Sequence, residues 1–145
     1  MRGVSLLEVL ITTALTAMLL ALAVPNLRRL QAPYALRAAS NQVVADVQAA
    51  RMRAIARNTR YRVTFNTATS TYSLDAETAP GSNTWATDGG VQRLPRSASL
   101  GTISPGNPIF STQGTLTAGV TIPVSVTNGR TKTITVNVLG QVTVS

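Results

Sequence analysis

The feature that most constrains this chain is a long apolar stretch near its start that contains one acid. Between Val4 and Val24 the only charged residue is Glu8. A helix rises about 1.5 Å per residue, so this stretch would extend roughly 30 Å, the thickness of the hydrocarbon core of a bilayer. A carboxylate inside a membrane costs on the order of 2.5–3.5 kcal/mol, so such residues normally have a partner. The pattern predicts a membrane-spanning helix whose acid is neutralised by a group from elsewhere.

The sequence alone does not identify the group that neutralises Glu8. Within the span, no cation lies one or two helical turns from Glu8. The partner is therefore a neighbouring chain, a lipid headgroup or an amine that processing creates. A cut after Gly3 would leave a cationic amine on Val4, and in a neighbouring subunit this amine would meet Glu8 only after assembly.

A cleaved secretory signal is the alternative interpretation of the same stretch. It would need a shorter apolar core and a cleavage site with small residues on its far side. Leu22-Ala23-Val24-Pro25 fits that role only loosely, and Arg2 is the single basic residue of the leader. An acid such as Glu8 is also unusual in a signal core. We therefore favour an anchor that is retained.

The composition excludes several classes of function. The 145 residues include no Cys and no His, which excludes disulfides, thiol chemistry, His-based catalysis and most zinc sites. Asp75 and Glu77 share one face of a predicted strand, but they lie at its end beside a loop. We expect no enzymatic activity, no cofactor and no metal site.

Positive charge is concentrated directly after the apolar stretch. The net charge is +8, and residues 28–62 contain eight Arg against one acid, Asp46. Basic residues beside a membrane span usually contact anionic lipid or set the orientation of the span. A basic surface also binds nucleic acid in some proteins. We favour the solvated or lipid-facing interpretation and keep a polyanion site as the alternative.

Residues 25–58 are predicted to continue the helix as an amphipathic segment. Good helix formers dominate this segment, and apolar residues recur at helical spacing. The apolar stripe consists of Leu36, Ala39, Val43, Val47, Ala50, Ala54 and Ile55. It is too apolar for solvent and should pack against a sheet. Pro25 predicts a kink or a locally unwound turn, and Pro33 predicts a second irregularity or a fresh start.

The remaining residues, 59–145, are predicted to form a β-rich domain. Alternating apolar and polar residues predict strands over 61–66, 71–74, 91–94, 120–126, 131–138 and 141–144. Residues 79–90 and 97–108 are rich in Gly, Pro and Ser and predict irregular loops. Trp85, in the first loop, is expected to pack over the edge of the core rather than to bind a ligand.

Two local signals refine the C-terminal strands. Asn128-Gly129 predicts a tight hairpin turn, because both central residues of such a turn need a positive φ. Pro123 lacks the N–H that a strand donates to its neighbour, so it predicts that its strand is at an edge or at a bulge.

The N-terminal motif resembles a known processing signal. Gly3-Val4-Ser5-Leu6-Leu7-Glu8 is similar to the class III signal of type IV pilins and pseudopilins, and Pro25 matches the spacing of a proline frequent in that family. The resemblance implies cleavage after Gly3 by a prepilin peptidase, methylation of the new N-terminus at Val4, and an assembly role for Glu8. The family usually has Phe or Met where this chain has Val4. The leader is short even for this family, which leaves a start codon upstream of Met1 open.

The C-terminal half resembles the GspH/FimT branch of minor pilins and pseudopilins. The resemblance rests on Asp46–Asn58, Ile109–Gly114, Asn128–Arg130 and Val136–Val142. It implies a structural subunit of a type IV pilus, a type II secretion system or a competence filament.

The family implies an α+β, pilin-like fold in which a long N-terminal helix packs against a C-terminal antiparallel sheet domain. Residues 1–3 would be the leader, 4–24 the transmembrane and filament-core helix, 25–58 its amphipathic continuation and 59–145 the globular domain. The expected partners are other pilin or pseudopilin subunits, the prepilin peptidase and the inner membrane. The globular domain is expected outside the cytoplasm, first on the inner membrane and then in a periplasmic or extracellular filament.

A filament-borne DNA receptor for natural transformation is the alternative function. Some FimT-like members bind DNA through a Gly-Arg-x-Arg element, but the corresponding Gly140-Gln141-Val142-Thr143 lacks both arginines. Arg130 and Lys132 lie on the preceding hairpin and would point to one face, where two cations can contact phosphate. Arg93 and Arg96 are supporting candidates. The favoured interpretation of the hairpin cations is that they discourage edge-to-edge pairing of strands.

Overall fold

The computed structural model describes residues 5–127 and 129–145, and it describes residues 22–31 through their backbone alone. One helix, α1 (Leu6–Ala56), comes first in the described chain. The strands that follow are β1 (Tyr61–Asn66), β2 (Thr71–Glu77), β3 (Trp85–Thr87), β4 (Gln92–Arg93), β5 (Ala98–Leu100), β6 (Ile109–Phe110), β7 (Val120–Val126), β8 (Thr131–Val136) and β9 (Val142–Val144). Contacts divide the chain into two compact units, Met1–Ala32 and Pro33–Ser145.

Helix α1 continues through both of its prolines. The helical assignment is unbroken at Pro25 and at Pro33, so no locally unwound turn forms at the first and no fresh start occurs at the second. Each proline removes one backbone donor and costs about 3 kcal/mol in a helix interior. In a helix of 51 residues the turns on either side keep their own hydrogen bonds, and this holds the backbone helical.

The end of α1 is a left-handed cap. Asn58 has a φ of 48°, a conformation that asparagine tolerates better than most residues. The Thr59 N–H donates to the Ala54 carbonyl at 3.2 Å, which satisfies one of the carbonyls left open at the helix end. The chain then enters β1 at Tyr61.

The strands form two antiparallel sheets. In the first sheet the order is β3-β2-β1-β6, with β4 also paired to β2, and in the second it is β5-β7-β8-β9. The β1–β2 pair keeps one register from Tyr61↔Ala76 to Asn66↔Thr71. The β7–β8 pair keeps one from Val120↔Val136 to Ser125↔Thr131. The predicted α+β fold, a long helix on an antiparallel sheet domain, is confirmed.

The core lies between the second half of α1 and the inner faces of the sheets. The helix contributes Leu36, Ala39, Val43, Val47, Ala50 and Ala54, all buried. The sheets contribute Tyr61, Val63, Tyr72, Phe110, Ile122, Val124, Ile134 and Val136. The predicted stripe is therefore confirmed except for Ile55, which is 50% exposed. Successive helical residues are rotated by about 100°, so Ile55 turns away from the face that Ala54 presents to the core.

Two predicted loops contain short strands. β3 lies inside the predicted loop 79–90 and pairs with β2 through Glu77↔Trp85. β5 lies inside the predicted loop 97–108 and pairs with β7 through Ser99↔Ser125. Two or three residues give too little alternation to be recognised as a strand, and these two strands are held by their longer neighbours.

β7 lies between β5 and β8, so Pro123 is not in an edge strand. The bulge alternative fits the pairing, because Leu100↔Val124 and Ser104↔Thr121 leave three residues opposite two. The N and O atoms of a strand residue point to the same side, and the Pro123 carbonyl accepts a bond of 2.8 Å from the Gly101 N–H. The missing donor therefore faces Gly101, one residue beyond the end of β5, and the bond that proline cannot make is the reciprocal one to the Gly101 carbonyl. A Cβ on Gly101 would lie 2.7 Å from Cγ of the proline ring, so only glycine fits there.

Candidate functional site

The N-terminal unit exposes apolar side chains all around its helix. Those at least half exposed are Leu6, Leu7, Val9, Leu10, Ile11, Leu15, Met18, Leu19 and Leu20. A helix that is apolar on every side is stable only inside a membrane or among other apolar elements. The exposed side chains of this unit therefore favour an apolar environment.

The hydroxyl groups of this helix are satisfied by the helix itself. Thr12 donates to the Glu8 carbonyl at 2.9 Å, Thr13 to the Val9 carbonyl at 2.9 Å, and Thr16 to the Thr12 carbonyl at 2.7 Å. Such bonds to the preceding turn let a hydroxyl enter an apolar environment without an unpaired donor. The threonines therefore need no partner outside the helix.

Glu8 is the exception. Its side chain is exposed in the first turn of α1, and its carboxylate makes no hydrogen bond or ion pair with any described residue. The positive end of the helix dipole contributes about 0.3–1 kcal/mol to an acid here, which is less than the cost of placing it in a membrane. The candidate cleavage residues Gly3 and Val4 lie outside the described residues, and Pro25 is described only as part of the helical backbone.

No helix within the described residues reaches the length and apolarity needed to cross a membrane. Those residues likewise hold no group of three or more side chains suited to binding a metal ion.

In the unit Pro33–Ser145, Asp75 is the most heavily bonded carboxylate. It accepts bonds from Arg62 at 3.0 Å and Thr64 at 2.5 Å. Ser73 at 2.9 Å and Thr87 at 3.2 Å bond its other oxygen. Burial alone would raise the pKa of this carboxyl, but the four donors outweigh burial and hold the pKa below its ordinary value.

Glu77 forms the second buried ion pair. Arg60 donates to it twice, from Nε to Oε2 at 2.8 Å and from Nη2 to Oε1, which is the bidentate arrangement of arginine and carboxylate. The Asn83 N–H adds a bond of 3.0 Å. The Arg60 guanidinium lowers the pKa of Glu77 to about 2, although partial burial acts in the opposite direction.

Asp88 joins the loop after β3 to the end of α1. Its Oδ2 accepts bonds from Tyr61 at 2.8 Å, Arg57 at 2.9 Å and Arg53 at 3.3 Å. The Tyr61 hydroxyl is the main cause of a lowered pKa at Asp88, with Arg57 adding to it against partial burial. Burial in turn raises the pKa of the Tyr61 hydroxyl. Asp46, the remaining acid of this unit, accepts a bond of 2.5 Å from the Tyr72 hydroxyl.

Trp85 lies in β3 under two arginines. The guanidinium carbons of Arg62 and Arg60 lie 4.7 Å and 5.7 Å from the centre of its ring. Cations over an aromatic face contribute about 0.5–2 kcal/mol, depending on how far they are shielded from water. The ring face is therefore occupied by the same arginines that pair with Asp75 and Glu77.

Three of the DNA-binding candidates, Arg96, Arg130 and Lys132, lie near one end of the second sheet. The Thr127 N–H donates to the Ser97 carbonyl at 3.3 Å, which places the segment after Arg96 against the β7–β8 hairpin. Arg130 is exposed on that hairpin, and Lys132 pairs opposite Val124. Arg93 lies in β4 and is also exposed. The side chains of these four cations form no ion pair in the part of the chain that the structure describes.

A close contact between the helix and two turns was not predicted from the sequence. Arg51 donates from Nε to the Gly114 carbonyl at 3.0 Å. Gly140, with a φ of 75°, lies so close that a Cβ on it would be 2.4 Å from the same oxygen. These residues are far apart in the chain and each looks ordinary alone, so no local pattern could reveal the contact.

Comparison with known proteins was made by sequence and by structure. The sequence has no significant match among curated proteins. The structure resembles the minor pseudopilin EpsH of the type 2 secretion system of Vibrio cholerae, with 12% identity, a TM-score of 0.63, and 76% of this chain and 95% of EpsH covered. It also resembles the type IV minor pilin FimU of Pseudomonas aeruginosa, with 16% identity, a TM-score of 0.59, and 76% and 87% covered. At these identities the likeness shows a shared fold.

The sequence itself carries the family assignment. Residues 39–141 match the family described as type II transport protein GspH. This range begins inside α1 and ends just before β9, so it includes the last third of the helix, strands β1 to β8 and the loops that join them. Because the match covers most of the sequence, the chain belongs to the GspH family of structural pilin-like subunits, the family that its C-terminal half resembles.

Proposed function

We propose that the chain is a minor pilin or pseudopilin that prepilin peptidase cleaves after Gly3 and that enters a filament through its N-terminal helix. The observation that carries the proposal is the helix around Glu8. It is apolar on all sides, its hydroxyls are bonded internally, and its one carboxylate makes no bond to a described residue.

The proposed helix serves in two environments. Before assembly, residues 4–24 span the inner membrane and hold the globular domain outside the cytoplasm. After assembly, the same apolar surface packs among the helices of neighbouring subunits. Cleavage creates a methylated amine on Val4, and Glu8 of the adjacent subunit pairs with it. A buried charge is tolerated only with a partner of opposite charge. The pair forms only on assembly, so it favours the assembled subunit over the free one.

The replacement Glu8→Ala tests this proposal. The variant should still insert into the membrane, since removing a charge makes the span more apolar. Its amount in the filament fraction should fall about tenfold or more, because the amine of the neighbouring chain loses its partner. Thr12→Ala is the matched control: its hydroxyl bonds only within the helix, so its incorporation should equal that of the wild type.

Immunoblots of membrane and filament fractions, with mass spectrometry of the mature N-terminus, provide the measurements. The proposal expects a chain that begins at a methylated Val4. Wild-type incorporation of Glu8→Ala, or a chain in the filament that still begins at Met1, would contradict it.

A second candidate function, DNA binding, is favoured by the cations at the end of the second sheet. Arg96, Arg130 and Lys132 are brought together by the Thr127–Ser97 contact, and none of them is paired with an acid in the described chain. Unpaired cations on one surface can neutralise adjacent phosphates, with an affinity that falls steeply with salt.

A gel shift of residues 33–145 with duplex DNA at two salt concentrations tests this candidate. The Arg130→Ala/Lys132→Ala variant should lower the affinity and reduce the slope of log K against log salt by about 0.9 for each lost phosphate contact. Arg37→Ala, an exposed cation of the helix, is the control. Absence of a shift at low salt, or an equal loss in the control, would reject DNA binding at this surface.

A further inference from the structure

The carboxylates of the unit Pro33–Ser145 are all engaged inside the unit. Asp75 is bonded by Arg62 and Glu77 by Arg60, while Asp88 is bonded by Tyr61 and two arginines. Asp46 accepts its bond from Tyr72. The chain has five acids, and the fifth is Glu8 in the other unit. Three of these four carboxylates are ion-paired, and Asp46 is half-buried with its bond from Tyr72, so this unit offers unpaired cations but no fully exposed carboxylate on a second copy to complement them.

One of those cations lies in a cleft beside helix α1. The cleft has a volume of about 370 Å³ and is lined by Gln48, Arg51, Met52, Gly140, Gln141 and Val142. The Nε of Arg51 is fixed by its 3.0 Å bond to the Gly114 carbonyl. Its two terminal nitrogens make no hydrogen bond or ion pair with any described residue. The guanidinium is thus held in place with two donors still available, the geometry that binds a carboxylate bidentately.

Apolar side chains border this cleft. Met52 is 63% exposed and Leu139, next to Gly140, is 62% exposed. Ile55, which is half exposed, lies over Gly114 beside Arg51. Exposed apolar residues around a fixed arginine are typical of protein interfaces, where arginine and methionine are enriched.

We propose that this surface, the Arg51 cleft with Met52, Ile55 and Leu139, docks an apolar segment of a different chain that carries an Asp or Glu. The occupant is not a second copy, because the acids of this unit are already bonded within it and the proposed function assigns the remaining acid, Glu8, to the Val4 amine of a neighbouring subunit. The inference rests on the proposed function, since it names the kind of neighbour that the subunit meets in the filament. In this arrangement a carboxylate of the neighbouring chain binds Arg51, and apolar side chains of that chain pack against Met52, Ile55 and Leu139.

The experiment uses the full chain in its own host, with a photo-crosslinking amino acid in place of Met52. Val91, which is 66% exposed and lies outside the cleft, carries the cross-linker in the control. Filaments are irradiated and the cross-linked peptides are identified by mass spectrometry. We expect Met52 to cross-link to a peptide of another chain with an acid within a few residues. We expect Val91 not to cross-link to that peptide.

Charge reversal then tests the role of Arg51. Arg51→Glu should lower the cross-link yield about tenfold or more, because loss of a hydrogen-bonded charge pair mainly speeds dissociation. Arg37→Glu, on the same helix, should leave the yield unchanged. Reversal of the partner's acid to Arg should restore the yield with Arg51→Glu, and this restoration separates a lost ion pair from a misfolded variant.

Three results would overturn the docking inference alone: a cross-link from Met52 to a second copy, a yield unaffected by Arg51→Glu, or no cross-link in a chain that is present in filaments. A chain absent from filaments would instead contradict the proposed function. Because incorporation is measured in the same samples, the two failures are distinguishable.

Discussion

Asp75 shows how one residue can make a buried charge acceptable. Its side chain is 7% exposed, and four donors from three strands converge on it. In Asp75→Asn the shape is kept, but an NH₂ group would face donors, and Arg62 would lose its counter-charge. We expect a loss of about 2–4 kcal/mol in the free energy of unfolding. Urea denaturation of residues 33–145 at pH 7 measures it.

Asp88→Asn is the matched control for that replacement. The Asp88 side chain is 26% exposed, and its partners Arg53 and Arg57 are 42% and 57% exposed. Ion pairs open to solvent contribute about 0–1 kcal/mol, so the control should cost about 1 kcal/mol or less. Equal losses for the two variants would refute the view that burial, rather than the number of partners, sets the importance of Asp75.

At the scale of the element, α1 has a face that stabilises the fold and a face that does not. Val47 is fully buried against the sheets, whereas Met52 is mostly exposed. Val47→Ala should lower the free energy of unfolding by about 1.5–3 kcal/mol, through lost apolar burial and the cavity left behind. Met52→Ala should change it by less than about 0.5 kcal/mol. Thermal and urea unfolding of residues 33–145 compare the two. A comparable loss for Met52→Ala would mean that Met52 belongs to the core.

The same element shows what a sequence can and cannot specify. Six of the seven positions in the predicted stripe are in the core, because periodicity reports which residues share a face. It placed Ile55 on that face as well, because spacing alone does not locate the edge of the sheet that covers the helix. Helix α1 continues through Pro33, because the rest of the 51-residue helix keeps its backbone hydrogen bonds when one is lost at the proline.

Some strands could be predicted from the sequence and others could not. β1, β7 and β8 were predicted because each alternates over six or seven residues, and β2 was predicted over 71–74 from the alternation at its start. β3 and β5 were not predicted, because each is too short to show alternation. Each is held in an extended conformation by pairing with a longer neighbour. The Arg51 contact with Gly114 and Gly140 was also missed, because it joins three separate parts of the chain. The N-terminal motif could be recognised because its residues are adjacent in the sequence.

At the scale of the whole molecule, the acids of the globular unit act together in its response to pH. Asp75, Glu77 and Asp88 all have a lowered pKa in the folded unit, Glu77 at about 2. Between these values and the ordinary values of about 4, the unfolded chain binds more protons than the folded one. Stability is therefore fully present above about pH 5 and decreases as the pH falls towards about 2.

The melting temperature of residues 33–145, followed by circular dichroism, should therefore be constant from about pH 8 to pH 5 and fall at lower pH. At the alkaline end, burial raises the pKa of Tyr61 and Tyr72, so stability should decline as the pH rises above about 10, the ordinary value. Protonation of acids also increases the repulsion among the surface arginines, but salt screens that repulsion and has less effect on buried pairs. A fall that persists at high salt and becomes shallower in Asp75→Asn supports the ion pairs as its cause. A fall that salt abolishes would assign it to net charge instead.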